Sequence, residues 1–219
     1  MAYGRDLAWI CMVLVHPEAR GRGLASRLVS EVLDRVSGFA VVGLDATPQG
    51  RPVYARLGFA DGPSLLRVEA GTDRRASART SATHPVRDPD LEAVLRRDRE
   101  VFGADRSRIL RFALQSAPEY AWVVMEGDTL AGYCFGRHGH DAEQIGPLVA
   151  RTSENARDLA AAALAARPDR RFFLDVTTAG RRLATDLGFR EQRAFTRMYR
   201  SRSIESSEDL RAVFGPEFG

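Results

Sequence analysis

One sixteen-residue block occurs twice in this 219-residue chain. The run Leu44-Asp45-Ala46-Thr47-Pro48-Gln49-Gly50-Arg51, continued to Leu57-Gly58-Phe59, returns as Leu174-Asp175-Val176-Thr177-Thr178-Ala179-Gly180-Arg181, continued to Leu187-Gly188-Phe189. The two windows align without gaps and share eight identities. Arg67 and Arg197 fall at the same offset behind them. A repeat of this kind means that one architectural unit is built twice. Each block reads as a buried strand end, then a short helix closed by a glycine in the left-handed C-cap position, then a strand opening on Phe.

Around the first block the pattern is a βαβ unit. Ala8 to Val15 is an uninterrupted apolar run of eight residues, too short to cross a bilayer and readable as a strand buried on both faces. The turn Pro17-Glu18-Ala19-Arg20-Gly21-Arg22-Gly23 leads into a helix whose predicted apolar stripe is Leu24, Leu28, Val32 and Val36. Ser37-Gly38 stops it, and Phe39 to Leu44 is a second buried strand, parallel to the first.

The turn carries the chemistry. Gly21 and Gly23 lack a Cβ, so a ligand can lie against backbone amides that begin a helix and have no intrahelical acceptor. The helix dipole and the charges of Arg20 and Arg22 favour an anion there. A polyphosphate-binding turn and a plain tight connection both fit the glycines alone. A dinucleotide fingerprint fits less well, although Asp45 ends the next strand: Ser26 takes the third glycine position, and five residues separate Val15 from Gly21. No Gly-Lys-Ser/Thr follows, which excludes a P-loop.

Taken together, residues 9 to 59 resemble the acetyl-CoA-binding half of the GNAT acetyltransferases. That family's Gln/Arg-x-x-Gly-x-Gly/Ala turn is matched by Arg20, Gly23 and Ala25, and its Tyr-bearing helix with Leu-Gly-Phe by Tyr54 and Leu57-Gly58-Phe59. The resemblance implies that the amides of Gly21, Arg22, Gly23, Leu24 and Ala25, with Arg20, hold the CoA pyrophosphate. It implies that Val13, Leu14 and Val15 pair with the pantetheine arm, and that Tyr54 protonates the departing thiolate. Such a reaction is direct attack of a neutral amine on the thioester, with a strand amide stabilising the oxyanion. Without the resemblance, Tyr54 reads as a core aromatic. The general base stays open between Asp6, Asp45 and a water relay, and His16 reads as a loop residue.

The resemblance also implies a strand, two helices and a hairpin ahead of Trp9, where this sequence has eight residues. Either the start lies upstream or the first copy is shortened. From about Ser81 the second copy is more complete: helices near 88–102 and 106–115, a hairpin around Glu126-Gly127-Asp128, and a strand from Ile145 to Ala150. An Ala-rich helix from Ala156 to Ala166 and a strand from Arg171 to Val176 follow. Its turn reads Arg151-Thr152-Ser153-Glu154-Asn155 with no glycine, Glu154 would repel phosphate, and Ala184 replaces Tyr54.

The expected fold is thus α/β (α+β), with two GNAT-like units, each a mixed, mostly antiparallel sheet around a parallel βαβ core. The partition is 1–70, an incomplete acetyl-CoA-binding unit; 71–80, a linker; 81–201, a degenerate unit; and 202–219, a tail forming a short helix on the second unit. This pattern resembles tandem GNAT proteins with an active first and a degenerate second domain.

All 32 basic residues are Arg, but the net charge is only +3, which does not suggest a nucleic-acid surface. A nucleic-acid module is the most distant reading. Cys11 and Cys134 sit in apolar runs and read as reduced core residues of a cytoplasmic protein with no membrane segment. His138, His140 and Asp141 are a weak ligand set on an inter-strand loop, so no metal is expected, although in this fold that loop faces the thiol end of CoA. The expected function is acetyl-CoA-dependent N-acetyl transfer to a small-molecule or protein amine. The alternative is an inactive CoA-binding scaffold, and a homodimer is one assembly that could complete the first copy.

Overall fold

Residues 1–72 and 83–219 are described by the computed structural model. The linker expected at 71–80 and the arginines Arg74, Arg75 and Arg79 fall almost wholly outside them. The apolar runs around the first block form β2 (Leu7–Trp9) and β3 (Val41–Ala46), which pair in parallel with Leu7 opposite Val41 and Trp9 opposite Gly43. A parallel pair needs a crossover, supplied by α1 (Leu24–Arg35). β1 (Ala2–Tyr3) forms a hairpin with β2 at the sheet edge.

The face that α1 buries differs from the predicted one. Val29 and Leu33 are buried against Ala8, Ile10, Val42 and Leu44, whereas Leu28 and Val32 are 52% and 38% exposed. Adjacent apolar residues at 28–29 and 32–33 allow two stripes about 100° apart, and the strand pair beneath selects the second. The expected strand from Ala8 to Val15 also ends early: only Leu7 to Ile10 are buried, and Met12 leaves the extended region with φ of +57°.

After α2 (Arg51–Arg56) comes β4 (Ala60–Ala70). The second half contains β5 (Thr83–Pro85), α3 (Asp88–Phe102), α4 (Ser107–Ser116), β6 (Trp122–Glu126), β7 (Thr129–Arg137), β8 (Glu143–Ala150) and α5 (Ser153–Ala165). It closes with β9 (Phe172–Val176), α6 (Arg181–Asp186), β10 (Arg190–Arg200) and β11 (Leu210–Val213). The alanines of α5 pack with α6 on one face of the sheet, beside Cys134 and Leu148. Val94, Val101, Leu110 and Ala113 of α3 and α4 pack on the other, beside Tyr133, Phe135 and Val149. That alternation along β7 and β8 is the period of two expected of a covered sheet.

The two copies do not keep separate sheets. The described strands form one mostly antiparallel sheet in the order β1-β2-β3-β10-β4-β9-β11-β8-β7-β6-β5. β10, from the second copy, lies beside β3 of the first, with Arg197 opposite Asp45. β4, from the first copy, lies beside β9 of the second, with Arg67 opposite Asp175. The exchanged strands pair with each other from Arg190–Glu69 to Tyr199–Ala60. Each copy thus gives its last strand to the other half of the sheet.

Two buried ion pairs sit at the exchange points. Arg67 donates through Nε and Nη2 to Asp175 at 2.8 Å each, and Arg197 donates to Asp45 at 2.8 and 2.9 Å. Both carboxylates have side chains that are 0% exposed. Such forked, two-bond pairing is the strong form of a carboxylate–guanidinium contact. The shared offset of Arg67 and Arg197 in the sequence therefore marks one contact made twice, each time between copies.

The tail is a strand rather than the expected helix. β11 sits between β8 and β9, and the chain then crosses to the first copy, where the Trp9 indole donates to the Pro216 carbonyl at 2.8 Å and the Tyr3 hydroxyl to that of Phe218 at 2.6 Å. No described helix is long and apolar enough to cross a membrane.

Candidate functional site

The early end of the first parallel strand creates the site. The Ile10 amide still donates to the Gly43 carbonyl at 2.8 Å, after which the backbone turns away at Met12. The amides from Cys11 to Val15 bond to none of the described residues. β3 continues straight to Ala46 because β10 holds its other side. Between the diverging segments lies a cleft of about 410 Å³ walled by Ile10 to Leu14, Leu44, Asp45, Thr47 and Tyr54. Met12 and Leu14 are 69% and 75% exposed. Unpaired amides beside apolar side chains form an edge that an extended ligand can complete.

The same divergence occurs in the second copy, where it is filled. β8 pairs in parallel with β9 from Glu143 to Ile145 and then parts from it at Gly146. β11 enters that gap, placing Ala212 opposite both Leu148 and Val176. A Cβ on Gly146 would lie 2.0 Å from the Val213 carbonyl oxygen, and one on Gly180 would lie 2.0 Å from that of Arg211. The repeat's shared glycine thus makes room for the tail in one copy. In the other, Gly50 lies under the ring of Tyr54, where an added Cβ would be 3.0 Å from Cε2.

Tyr54 reaches the cleft from α2 and packs edge-on to Phe59, with ring centroids 6.2 Å apart. Burial raises its hydroxyl above the ordinary tyrosine value, so it stays a proton donor at neutral pH. Its hydroxyl bonds to none of the described side chains. Val13, Leu14 and Tyr54 are therefore brought together. Val15 and the turn from Arg20 to Ala25 continue from the cleft wall along the chain but do not line it.

That turn has the backbone the glycines were expected to allow. Gly21 and Gly23 have φ of +76° and +73°, in the left-handed region that disfavours side chains, and neither has an atom near its missing Cβ. Gly23 caps α1 without a side-chain hydrogen bond, so the amides of Leu24 and Ala25 remain open. Arg20 Nε donates to the Val15 carbonyl at 3.3 Å, tying the turn to the strand end. Arg22 has no acidic partner among the described residues. In the second copy Thr152 accepts from the Asn155 amide at 3.1 Å, so α5 closes its own N-terminus.

Of the candidate bases, Asp6 does not line the cleft, and neither does His16, which lies 4.0 Å from Glu18. Asp45 does, but both of its oxygens are taken by Arg197. Burial pushes this carboxyl up and the guanidinium pulls it back, while the pair raises Arg197 well above its ordinary range. The forked geometry supports a charged pair rather than a proton shuttle.

The opposite wall comes from the second copy, the exchanged strand β4 and the tail, and sequence reasoning found only part of it. His140 and Asp141 line the cleft, as the loop's position suggested. His138 does not; its Nδ1 lies 2.9 Å from Glu143 and its Nε2 3.3 Å from Glu119. Arg170 donates to the Gly139 and His140 carbonyls at 3.1 and 3.3 Å and to Glu143 at 2.8 Å, which fixes the loop. Arg67, Arg137, Arg193, Phe195 and Glu217 complete the wall and were missed. The offset of Arg67 and Arg197 was the available signal, but it does not reveal a strand exchange. No group of three or more His, Cys, Asp or Glu among the described residues could hold a metal ion. Cys11 and Cys134 are free, and burial pushes the Cys134 thiol up to about 12.

Comparisons with known proteins agree with this architecture. Two profiles, each described as an acetyltransferase (GNAT) domain, match residues 94–215 and residues 1–73. The uncharacterized N-acetyltransferase YitH of Bacillus subtilis (strain 168) is 25% identical over 158 residues, covering 72% of this chain. The chain spans 56% of that relative's length. A Pyrococcus horikoshii protein named as a proposed acetyltransferase superposes with a TM-score of 0.81 at 21% identity, over 100% of this chain and 74% of its own. A tandem GNAT protein from the clavulanic acid biosynthesis pathway gives a TM-score of 0.59 at 17% identity, over 92% and 77%. At these identities the structures speak to fold alone.

Proposed function

The chain belongs to the GNAT acetyltransferase family, and on that premise we propose that it transfers an acetyl group from acetyl-CoA to an amine at the cleft of the first copy. The observation that carries this reading is the contrast between the two gaps: the first is open, with unpaired amides, and the second is filled by β11. In this reading residues 1–70 and 81–201 are the two units, and 202–219 is the strand that closes the second.

The residues present suit acetyl-CoA. The open amides of Gly21 to Ala25, with Arg20 and Arg22, would hold its phosphates at the start of α1. Val13, Leu14 and Val15 would pair with the amides of its extended arm, as β8 pairs with β11 in the second copy. Bound acetyl-CoA supplies the activated acetyl thioester. A strand amide near Met12 can donate to the carbonyl oxygen as negative charge gathers on it. Tyr54, kept protonated by burial, can donate its proton to the sulfur as the carbon–sulfur bond breaks. His140 is the cleft-lining imidazole and the group placed to take the amine's proton.

Tyr54→Phe tests the assignment. Loss of a positioned general acid typically costs about 10²–10⁴-fold in rate. The variant should lose that much kcat on any accepted amine while acetyl-CoA affinity changes less than about twofold. Unchanged turnover would remove Tyr54 from the chemistry.

A further inference from the structure

We infer that the acceptor is a free amino acid, an amine that also carries a carboxylate, held between Arg193 and the pair His140–Asp141. This rests on the cleft being the acetyl-transfer site. The inference comes from accounting for each charge around the cleft.

Most of those charges are already matched. Asp45 is held by Arg197, Arg67 by Asp175, and Arg137 by Glu217. Two opposite charges are left. Arg193 lines the cleft with no acidic partner, and Asp141 with no basic partner, among the described residues. Beside Asp141 stands the imidazole of His140. An exposed cation and an exposed anion with an imidazole, lining one cleft, complement a zwitterion.

The position of Arg193 strengthens the assignment. In the β4–β10 pairing it lies directly opposite Arg67, and both guanidinium groups approach the Phe195 ring, at 6.0 and 5.5 Å from its centroid. Asp175 already offsets Arg67, so of these two guanidinium groups Arg193 is the one left to take an anion. Arg137, in the same cleft, is held by Glu217 through Nη2, and its Nε is buried without a hydrogen-bond partner. Buried polar groups left unpaired are unfavourable and rare. A substrate carboxylate supplies the acceptor that Arg193 lacks, whereas a simple alkylamine does not.

The step balances without a further reactant. The amino nitrogen forms a bond to the acetyl carbon as that carbon's bond to sulfur breaks. The bound ammonium first gives one proton to His140, so that the neutral nitrogen attacks. The leaving thiolate takes the Tyr54 proton, the new amide's second proton returns through solvent to Tyr54, and His140 releases its own to solvent. The products are an N-acetyl amino acid and CoA.

The test uses the whole chain, acetyl-CoA and the proteinogenic amino acids, each beside its methyl ester, with thiol release as readout. At least one amino acid should exceed its ester about tenfold or more in kcat/KM, in line with the loss of a charge-assisted hydrogen bond. Arg193→Gln should raise KM for that acid about tenfold and leave the ester and the acetyl-CoA affinity within about twofold, as expected of lost ground-state binding. Equal use of acid and ester, or an Arg193→Gln variant indistinguishable from the parent, overturns the inference. Acetyl-CoA binding without acetylation of any amino acid overturns it too, while leaving the cofactor reading intact. Failure to bind acetyl-CoA removes both.

Discussion

The Asp45–Arg197 and Asp175–Arg67 pairs show how a residue can serve both fold and site. Each carboxylate is fully buried, and each guanidinium comes from the other copy. Arg197 also lies over the Trp9 ring at 4.8 Å. Arg197→Met should destabilise the chain by about 3–5 kcal/mol in urea unfolding, because it strands a buried carboxylate. Adding Asp45→Leu should restore most of that loss, since an apolar replacement of the whole pair is often neutral. A single variant as stable as the parent would show that the pair is not buried in solution. Tyr54 carries a prediction in pH. Its raised value means that the protonated, donating form persists through neutral pH and is lost only as pH climbs through the shifted value. The alkaline fall in kcat assigned to Tyr54 should therefore lie above the ordinary tyrosine value of about 10, and a fall well below it would contradict the assignment.

At the scale of elements, the same repeat position does different work in each copy. Gly180→Ala would push a Cβ into the Arg211 backbone of β11, where little can move, so it should cost about 1–3 kcal/mol of stability. Gly50→Ala brings its Cβ closest to the edge of the Tyr54 ring, at 3.0 Å, with Thr47 at ordinary contact distance. It should leave unfolding nearly unchanged and lower kcat instead, as a displaced acid would. Both effects can be read from urea titrations and turnover on one pair of variants. Which elements were legible follows from the same physics. The parallel strands, the glycine turn and the repeat were plain because each rests on local backbone demands. The run Leu210 to Phe214 was read as helix because a short apolar segment has no decisive period. Its strand state is imposed by the gap between β8 and β9. The face of α1 was ambiguous for a related reason, with apolar residues adjacent at 28–29 and 32–33.

For the whole molecule, the exchange of β4 and β10 makes the two halves interdependent. β3 and β4, though consecutive in the chain, have β10 between them. A fragment of residues 1–72 should therefore be unfolded alone, and mixing it with 83–219 should restore helical and sheet signal by circular dichroism. An independently folded first fragment would contradict the exchange. This arrangement also explains why half of the cleft could not be anticipated from one copy: Arg137, His140, Arg193 and Glu217 reach it across the exchanged strands and the tail.

The account's central claim is a single cofactor site on the first copy. Calorimetric titration of acetyl-CoA into the whole chain, beside a Gly23→Glu variant checked by circular dichroism to be folded at the titration temperature, addresses it directly. Gly23 lies in the left-handed region at the start of α1, so the variant puts both strain and negative charge where phosphates would sit. The predicted result is micromolar binding with one site per chain, abolished by the variant. Two sites per chain, or binding that the variant retains, would contradict the claim.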